Sequence, residues 1–325
     1  MQRSSPILTV IMPVFNTGRY VRDAVASVLN QSFRDFELLV GDDGSSDNSL
    51  DVVRSFNDSR IRVFSFSENE GKVAVCNRLF EQAQGRYATI HDSDDISAPT
   101  RFEKQIAFLD DNEDYGMCGT FFREIDRRGK VIRDVALESD PDTLQELIKT
   151  DSQFHGPTMV FRTDIVKKAG GLYRDFRNKE DVDLSMRIAE KSLVKNLNEY
   201  LYYYRLVPQG LSKVNFDILR FEGLTVLQKL AEQRRVEGQD CLMKGDTEAY
   251  NRLLEEIGRP YREDPSLLYR KGVALNVYFK FWTNAFQYAL KAVAANPAKW
   301  INYREFLYVV KVRLAHLFSR HAGGL

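Results

Sequence analysis

The sequence predicts an α/β fold, a parallel sheet with helices on both faces, extended by helices towards its C-terminal end. Three observations predict it. Over the first hundred residues, short β-branched apolar runs alternate with segments of helical periodicity, giving four strands. Two of those runs end abruptly in acids, at the edge where such sheets bind ligands. From about Phe216 onward the alternation is gone and only helical periodicity remains.

Residues 7–13 are continuous, short and β-branched, as in a strand buried on both faces. Val14-Phe15-Asn16-Thr17-Gly18 is the turn after it, and Val21, Ala24, Val25, Val28 and Leu29 then recur at helical spacing. A second strand over 36–40 runs into Gly41-Asp42-Asp43-Gly44-Ser45-Ser46-Asp47, a polar loop able to cap a helix over 48–56. A third strand covers 61–64, a third helix 73–84 and a fourth strand 87–90. Past Pro99, a helix over 100–111 carries Phe102, Ile106 and Leu109 on one face. There the regular alternation stops. Residues 115–125 are strand-like, 126–130 form a hairpin turn, 141–150 are a short helix behind Asp140, and Gly170-Gly171 ends a further helix at Ala169. Tyr202-Tyr203-Tyr204-Arg205 reads as a strand with its aromatics in the core. This second half is mixed and partly antiparallel and belongs to the same sheet, so the first domain spans 1–215. The extension, 216–325, holds helices over 218–233, 246–257, 281–294 and 301–318.

Composition narrows the function. The 325 residues are 43% hydrophobic and 28% charged, ordinary for a globular protein, and long enough for one large or two modest domains. Lys plus Arg and Asp plus Glu balance at 46 each, which gives no reason to expect nucleic acid as a partner. Cys76, Cys118 and Cys241 lack metal-site spacing, and a reduced, cytoplasmic compartment is their simplest reading. No apolar run is long enough to cross a bilayer, and Pro13 and Asn16 interrupt the one stretch that could be a signal peptide. Neither G-x-G-x-x-G nor G-x-x-x-x-G-K-[ST] follows the first strand. Without such an anion cradle, a bound diphosphate has to be neutralised by metal and side chains.

The acids supply that chemistry. Ile90-His91-Asp92-Ser93-Asp94-Asp95 places three carboxylates at the end of a buried strand. Crowding them there costs free energy unless a cation sits among them, and hard oxygen ligands with few protein contacts suit Mg²⁺ or Mn²⁺ with phosphate oxygens completing the shell. Asp92, Asp94 and Asp95 are therefore expected to hold a divalent metal against a nucleotide diphosphate. Taken alone, such a cluster is more often a solvated loop capping the next helix. Convergence favours the metal: the loops at 13–16, 42–45 and 92–95 all lie beyond the carboxyl ends of strands in one sheet. Further on, Glu180 and Asp181 open a helix, where the dipole favours negative charge. A carboxylate there also suits a general base that takes the proton of an attacking hydroxyl. Asp183 and Arg187, four apart, are expected to pair. His155 is expected to be a turn histidine with a structural hydrogen bond, and Arg205, with Ser212 and Lys213, to be within reach of the diphosphate.

Read together, Pro13-Val14-Phe15-Asn16, Ser27-Val28-Leu29-Asn30-Gln31-Ser32-Phe33, Asp42-Asp43-Gly44-Ser45-Ser46-Asp47, Asp92-Ser93-Asp94-Asp95 and Glu180-Asp181-Val182-Asp183-Leu184 resemble the family 2 glycosyltransferases with the GT-A fold. The resemblance covers roughly residues 5 to 213. It implies a GT-A nucleotide-diphospho-sugar transferase fold, a Rossmann-like mixed sheet flanked by helices. It also implies an inverting enzyme that uses a nucleotide-diphospho-sugar, usually a UDP-sugar, with Mg²⁺ or Mn²⁺. Carried over by motif, Pro13, Val14 and Asn16 line the nucleotide, Asp43 accepts from the uracil N–H, and Asp92 completes the acidic motif. Asp94 contacts ribose or metal, Asp95 is the main metal ligand, and Asp181 is the catalytic base supported by Glu180. On this reading Asp95→Ala abolishes turnover and leaves the fold intact.

The expected acceptor is a hydroxyl of a glycan or lipid-linked glycan in cell-surface polysaccharide synthesis. A polyprenyl-phosphate sugar transferase is a close variant that needs no hydroxyl-activating base. A sugar nucleotidyltransferase shares the sheet, but Asn16-Thr17-Gly18-Arg19 is a poor version of its loop. A degenerate sugar-binding subunit would have no use for intact acids. In the last helix, Leu307, Val310, Leu314, Leu317 and Phe318 form an apolar stripe. From Lys299 to the end, Lys299, Arg304, Lys311, Arg313 and Arg320 face a single acid, Glu305. Such a helix suits the surface of an anionic membrane, with peripheral attachment at the inner face, or equally its own domain or a homodimer partner.

Overall fold

The computed structural model describes residues 5–151, 153–174, 176, 179–207, 218–278 and 281–321. The described strands form one nine-stranded mixed sheet in the order β3-β2-β1-β4-β8-β6-β9-β5, with β7 paired to β6. Its parallel half is β3 (Ile61–Phe66), β2 (Phe36–Asp43), β1 (Leu8–Val14) and β4 (Tyr87–Ile90). Every residue of β1, β2 and β4 is buried, as a strand covered by helices on both faces requires. Helices α1 (Val21–Leu29), α2 (Ser49–Arg54), α3 (Lys72–Glu81) and α4 (Arg101–Asp111) connect and cover these strands. The core between α1, α4 and the sheet includes Val21, Val25, Val28, Leu38, Phe102 and Ile106.

The antiparallel turn comes at β8 (Val160–Arg162), which pairs with β4 on one side and β6 (Tyr115–Ile125) on the other. β6 carries the hairpin strand β7 (Val131–Val135) and runs parallel to β9 (Leu193–Arg205), and β9 pairs with the two-residue β5 (Ile96–Ser97). β9 has thirteen residues, where only its last four carry the aromatic signal that marks it in the sequence. Its first half, with Lys195, Asn196 and Glu199, lacks an apolar run because the strand is held by its neighbour β6. β5 is likewise a product of tertiary pairing.

The connecting helices follow local rules. Asp140 caps α5 (Pro141–Leu147) by accepting from the Thr143 N–H at 2.9 Å, with Pro141 in the first turn. Helix α6 (Thr163–Lys168) ends at Gly170 and Gly171, whose φ of +94° and +99° let Gly171 N–H reach back to the Val166 carbonyl. Helix α7 (Glu180–Ala189) starts on the acids, and Arg187 makes the expected pair with Asp183 at 2.8 Å in a buried setting, joined by Arg174.

The chain divides into two compact units, residues 1–214 with 227–236, and residues 215–226 with 237–325. Helix α8 (Ile218–Glu237) belongs to both. The second unit is helical: α9 (Thr247–Glu263), α10 (Ser266–Tyr278), α11 (Trp282–Ala295) and α12 (Trp300–His321). Helix α9 runs on through Pro260, past the expected end at 257, and α10 was not expected from the sequence. Val273, Ala285, Ala289 and Val309 form this unit's buried apolar centre. Ser212 and Lys213 lie outside the described residues.

Candidate active site

The carboxyl ends of β1, β2 and β4 meet at one rim, and hydrogen bonds tie their loops together. Asn16, in the left-handed region at φ +51°, accepts from the Ser46 N–H at 2.8 Å, and its own N–H donates to Ser45 Oγ at 3.0 Å. Thr17 Oγ1 reaches Ser93 Oγ at 3.0 Å, joining the first loop to the acid loop. Asp43 accepts from the Glu70 N–H at 2.7 Å and the Gly71 N–H at 2.9 Å, which fixes the entry to α3. Behind the acid loop, buried Gln31 donates to the Ala98 carbonyl at 2.7 Å and accepts from the Phe102 N–H at 3.1 Å. The Gln31 contacts give the 27–33 motif a physical role.

The placement of the acids differs in kind. Pro13 and Val14 close β1, buried and opposite Gly41 and Asp42. Both Asp43 oxygens are engaged by backbone donors, whereas Asp42, its neighbour on the same strand, has a buried Oδ1 without a hydrogen-bond partner. Asp92 pairs with Lys72 Nζ at 2.6 Å. Asp94 keeps part of its surface open, and burial, reinforced by Asp92, pushes its carboxyl up to about 6. Asp95 is fully buried. Its Oδ1 accepts from the Arg205 N–H at 2.7 Å, its Oδ2 has no hydrogen-bond partner, and burial beside Asp94 and Asp92 holds it well above the ordinary carboxylate range. Because Asp95 secures β9 through Arg205, Asp95→Ala would strand a buried N–H and leave a cavity. It is not the fold-neutral change expected from the sequence, and Asp95→Asn is the cleaner replacement.

The second acid pair lies at the start of α7. Asp181 Oδ2 accepts from the Gly156 N–H at 3.2 Å and Oδ1 from the Val182 N–H at 2.9 Å. Burial raises the Asp181 and Glu180 carboxyls, with Lys72 acting against the rise, and Glu180 Oε2 is buried without a partner. The backbone comes so close at Gly156 that a Cβ there would lie 2.6 Å from Asp181 Oδ2. His155 stacks on Phe122 with ring centroids 4.2 Å apart, and burial lowers it to about 4, so it is neutral at pH 7.

Lys72 links the two acid pairs. Burial works against its charge, but the carboxylate of Asp92, with Glu180, more than offsets that cost and holds the ammonium above the ordinary lysine range. Below it, Arg101 is fully buried under the acid loop, donating to Thr89 Oγ1 at 2.9 Å and the Pro157 carbonyl at 2.7 Å, with its guanidinium 4.9 Å from the Tyr202 ring centroid. Arg205 Nε donates to the Asp94 carbonyl at 2.7 Å. Sequence reasoning missed Lys72, Arg101 and Gly156. The one signal for Lys72 was its place at a helix start behind Gly71. Phe15, 45% exposed on the first loop, is a large apolar side chain left open there.

Among the described residues, no three His, Cys, Asp or Glu side chains close into a ready cation cage. The donor set that is present, a partly exposed Asp94 carboxylate next in sequence to the buried carboxylate of Asp95, still fits Mg²⁺ or Mn²⁺, which take one or two protein carboxylates and complete their shell with phosphate and water. The rim can therefore gather a cation and a diphosphate at the acid loop, with a buried, basic carboxylate at the start of α7.

Comparison with known proteins points the same way. The family model described as glycosyl transferase family 2 matches residues 9–170. EpsE of Bacillus subtilis (strain 168), which carries a glycosyltransferase name, is 32% identical over 211 residues, 62% of this chain and 74% of that one. The O-antigen biosynthesis glycosyltransferase WbnJ of Escherichia coli is 28% identical over 215 residues, 64% of this chain and 82% of that one. Among solved structures, Staphylococcus aureus TarS 1-349 in complex with UDP-GlcNAc superposes with a TM-score of 0.61 at 19% identity, over 89% of this chain and 81% of that one.

Proposed function

The chain belongs to glycosyl transferase family 2, and from that premise we propose that it is an inverting transferase that moves a sugar from a nucleotide-diphospho-sugar to a glycan or lipid-linked hydroxyl. One observation carries the reading: Lys72 joins the acid loop to the field of the α7 acids, 2.6 Å from Asp92 and close enough to Glu180 to be raised by it. Leaving-group and base machinery thus share one site. The WbnJ name supports a polysaccharide acceptor, and the UDP-GlcNAc complex of TarS supports a UDP-sugar donor.

The geometry supports the following roles. Pro13, Val14 and Asn16 form the wall for the nucleotide. Asp43 shapes that wall through the 70–71 backbone, and Asp42, whose buried Oδ1 has no hydrogen-bond partner, would be the acceptor for a base N–H. Asp94, partly exposed and not held by an ion pair as Asp92 is, would hold Mg²⁺ or Mn²⁺ together with the buried Asp95. The bound ion supplies Lewis-acid stabilisation of the departing diphosphate. Lys72 adds a second positive charge on the same side, and Asp92 orients it. Asp181 takes the acceptor hydroxyl proton as the oxygen attacks the anomeric carbon from the face opposite the leaving group. Burial raises its basicity, which suits the task, and Glu180 stands beside it at the helix start. Cys76, Cys118 and Cys241, buried and not in disulfides, fit the reducing cytoplasm.

A donor screen tests the reading. UDP release from UDP-sugars, stimulated by Mn²⁺ and dependent on acceptor, is expected, and pyrophosphate release would identify a nucleotidyltransferase instead. Two further results are expected. Gly156→Ala displaces Asp181, so kcat falls on the order of 100-fold while the donor KM holds, because a shift of about 1 Å at a reacting group costs that much. Steady-state kinetics on a variant of unchanged circular dichroism reads this. A proton also competes with metal at Asp94, whose carboxyl titrates at about 6. Mn²⁺ affinity measured calorimetrically in the presence of UDP should hold above pH 7 and fall about tenfold per pH unit below 6. Equal affinity at pH 7.5 and pH 5 would remove Asp94 from the metal site.

A further inference from the structure

Helix α12 is apolar on two sides, and packing accounts for only one of them. On its inner side Val309 is fully buried against Val273, Ala285 and Ala289, with Phe306 packed beside it. Buried Asn302 donates to the Ala292 carbonyl at 3.0 Å and the Asn296 carbonyl at 2.8 Å, which fixes the rotation of the helix about its axis. The outer side is therefore set as well. It presents Trp300 at 71% exposure, Tyr303 at 37%, Leu307 at 56%, Tyr308 at 49% and Leu314 at 48%. At 100° per residue these positions, with Arg304 and Lys311, fall within an arc of about 140°. A helix that is apolar all round calls for a second apolar environment.

The charges say which one. Over residues 300–315 of α12 the exposed ionisable side chains are both cations, Arg304 and Lys311, and the acid there, Glu305, is only half-exposed. Neither cation has an ion-pair partner among the described residues. A second copy of this helix laid against the face would bring like charges together with no exposed acid to answer them. An anionic lipid surface answers both features: Trp and Tyr sit at the headgroup level, leucines enter the acyl boundary, and the long basic stems reach back to phosphate.

We infer that the outer face of α12 is a membrane-binding surface for anionic phospholipid, using Trp300, Leu307 and Leu314 as apolar inserts and Arg304 and Lys311 as headgroup contacts. No helix among the described residues is long and apolar enough to cross a bilayer, so the contact lies in the plane of the interface. This goes beyond the transfer reaction and stands without it, since vesicle binding is read independently of turnover.

The full chain is sedimented with phosphatidylglycerol vesicles and with phosphatidylcholine vesicles at low salt and at high salt. Binding to the anionic vesicles only, reversed by salt and accompanied by a blue shift of tryptophan emission, is the expected result. The double variant R304E/K311E should bind at least on the order of 25-fold more weakly, roughly fivefold for each cation removed. Its circular dichroism and its UDP binding should match the parent, which separates lost lipid contact from lost fold. The proposal fails if the parent does not bind anionic vesicles, if it binds phosphatidylcholine equally, or if the variant binds as well as the parent. It also fails if sedimentation velocity shows a dimer that Leu307→Glu dissociates, since the face would then belong to a second copy. None of these outcomes bears on whether nucleotide binds at the sheet rim.

Discussion

Asp181→Asn lowers sugar transfer by about 10²–10⁴-fold while nucleotide binding is retained, because only the proton acceptor is removed. The amide keeps the size of the carboxylate and one oxygen for the two backbone N–H groups, Gly156 and Val182, that the carboxylate now accepts from. The amide NH2 cannot accept, so the fold cost is one lost hydrogen bond at a helix start, about 1–3 kcal/mol. Asp181 is raised by burial, and Lys72 limits that rise. Its protonation removes the base, so the parent's kcat should fall as pH drops through a value above the ordinary aspartate range, and the variant's residual rate should lose that limb. Rates for transfer to a sugar hydroxyl, measured from pH 5 to pH 8, test both points. A variant with full activity would mean that the acceptor oxygen is already ionised, as a polyprenyl phosphate is, and would select that reading of the reaction.

Asp94→Asn abolishes metal-dependent turnover, with a loss on the order of a thousandfold, the several kcal/mol of charge stabilisation that a bound ion gives a leaving diphosphate. The same substitution stabilises the metal-free protein. The carboxyl titrates at about 6 in the fold against an ordinary 3.8, so the folded state holds the proton more tightly than the unfolded chain. The folded form therefore loses stability as pH rises between those two values, and the loss persists at pH 7. Removing the charge removes that penalty, and Tm at pH 7 should rise on the order of a few degrees. At pH 4 parent and variant should melt alike. Mn²⁺ with UDP should raise the Tm of the parent and leave the variant unmoved. Scanning calorimetry at pH 4 and pH 7 gives all of these readings, and a variant destabilised at pH 7 would mean that Asp94 is a structural acid.

Much of this architecture is legible in the sequence, for a physical reason. β1, β2 and β4 are buried on both faces, so their apolar runs are continuous, and the loops after them are polar because they open onto a ligand edge. The first half of β9 is illegible because its conformation is set by β6, and Lys195 and Glu199 show no strand pattern of their own. In the site, the acids announce themselves by crowding, but which of them faces the ligand depends on hydrogen bonds made far away in sequence. Asp43 reads as an acceptor for the base, yet the Glu70 and Gly71 N–H groups occupy its oxygens, and Asp95 reads as the main metal ligand, yet its Oδ1 accepts from Arg205 of β9. Lys72 is an ordinary helix lysine in the sequence and becomes the link between two acid pairs only when α3 packs beside the acid loop. Gly156 shows the same dependence: its need for a hydrogen in place of a side chain comes from Asp181, twenty-five positions away.

The central claim is that the carboxylates at the rim of the parallel strands seat a divalent ion beneath a sugar nucleotide. Crystals soaked with UDP and Mn²⁺, with anomalous scattering locating the manganese, test it most directly. Manganese at Asp94, with the uridine against Pro13, Val14 and Asn16, is the expected result. Manganese found elsewhere, or UDP absent from this rim at saturating concentration, would contradict it.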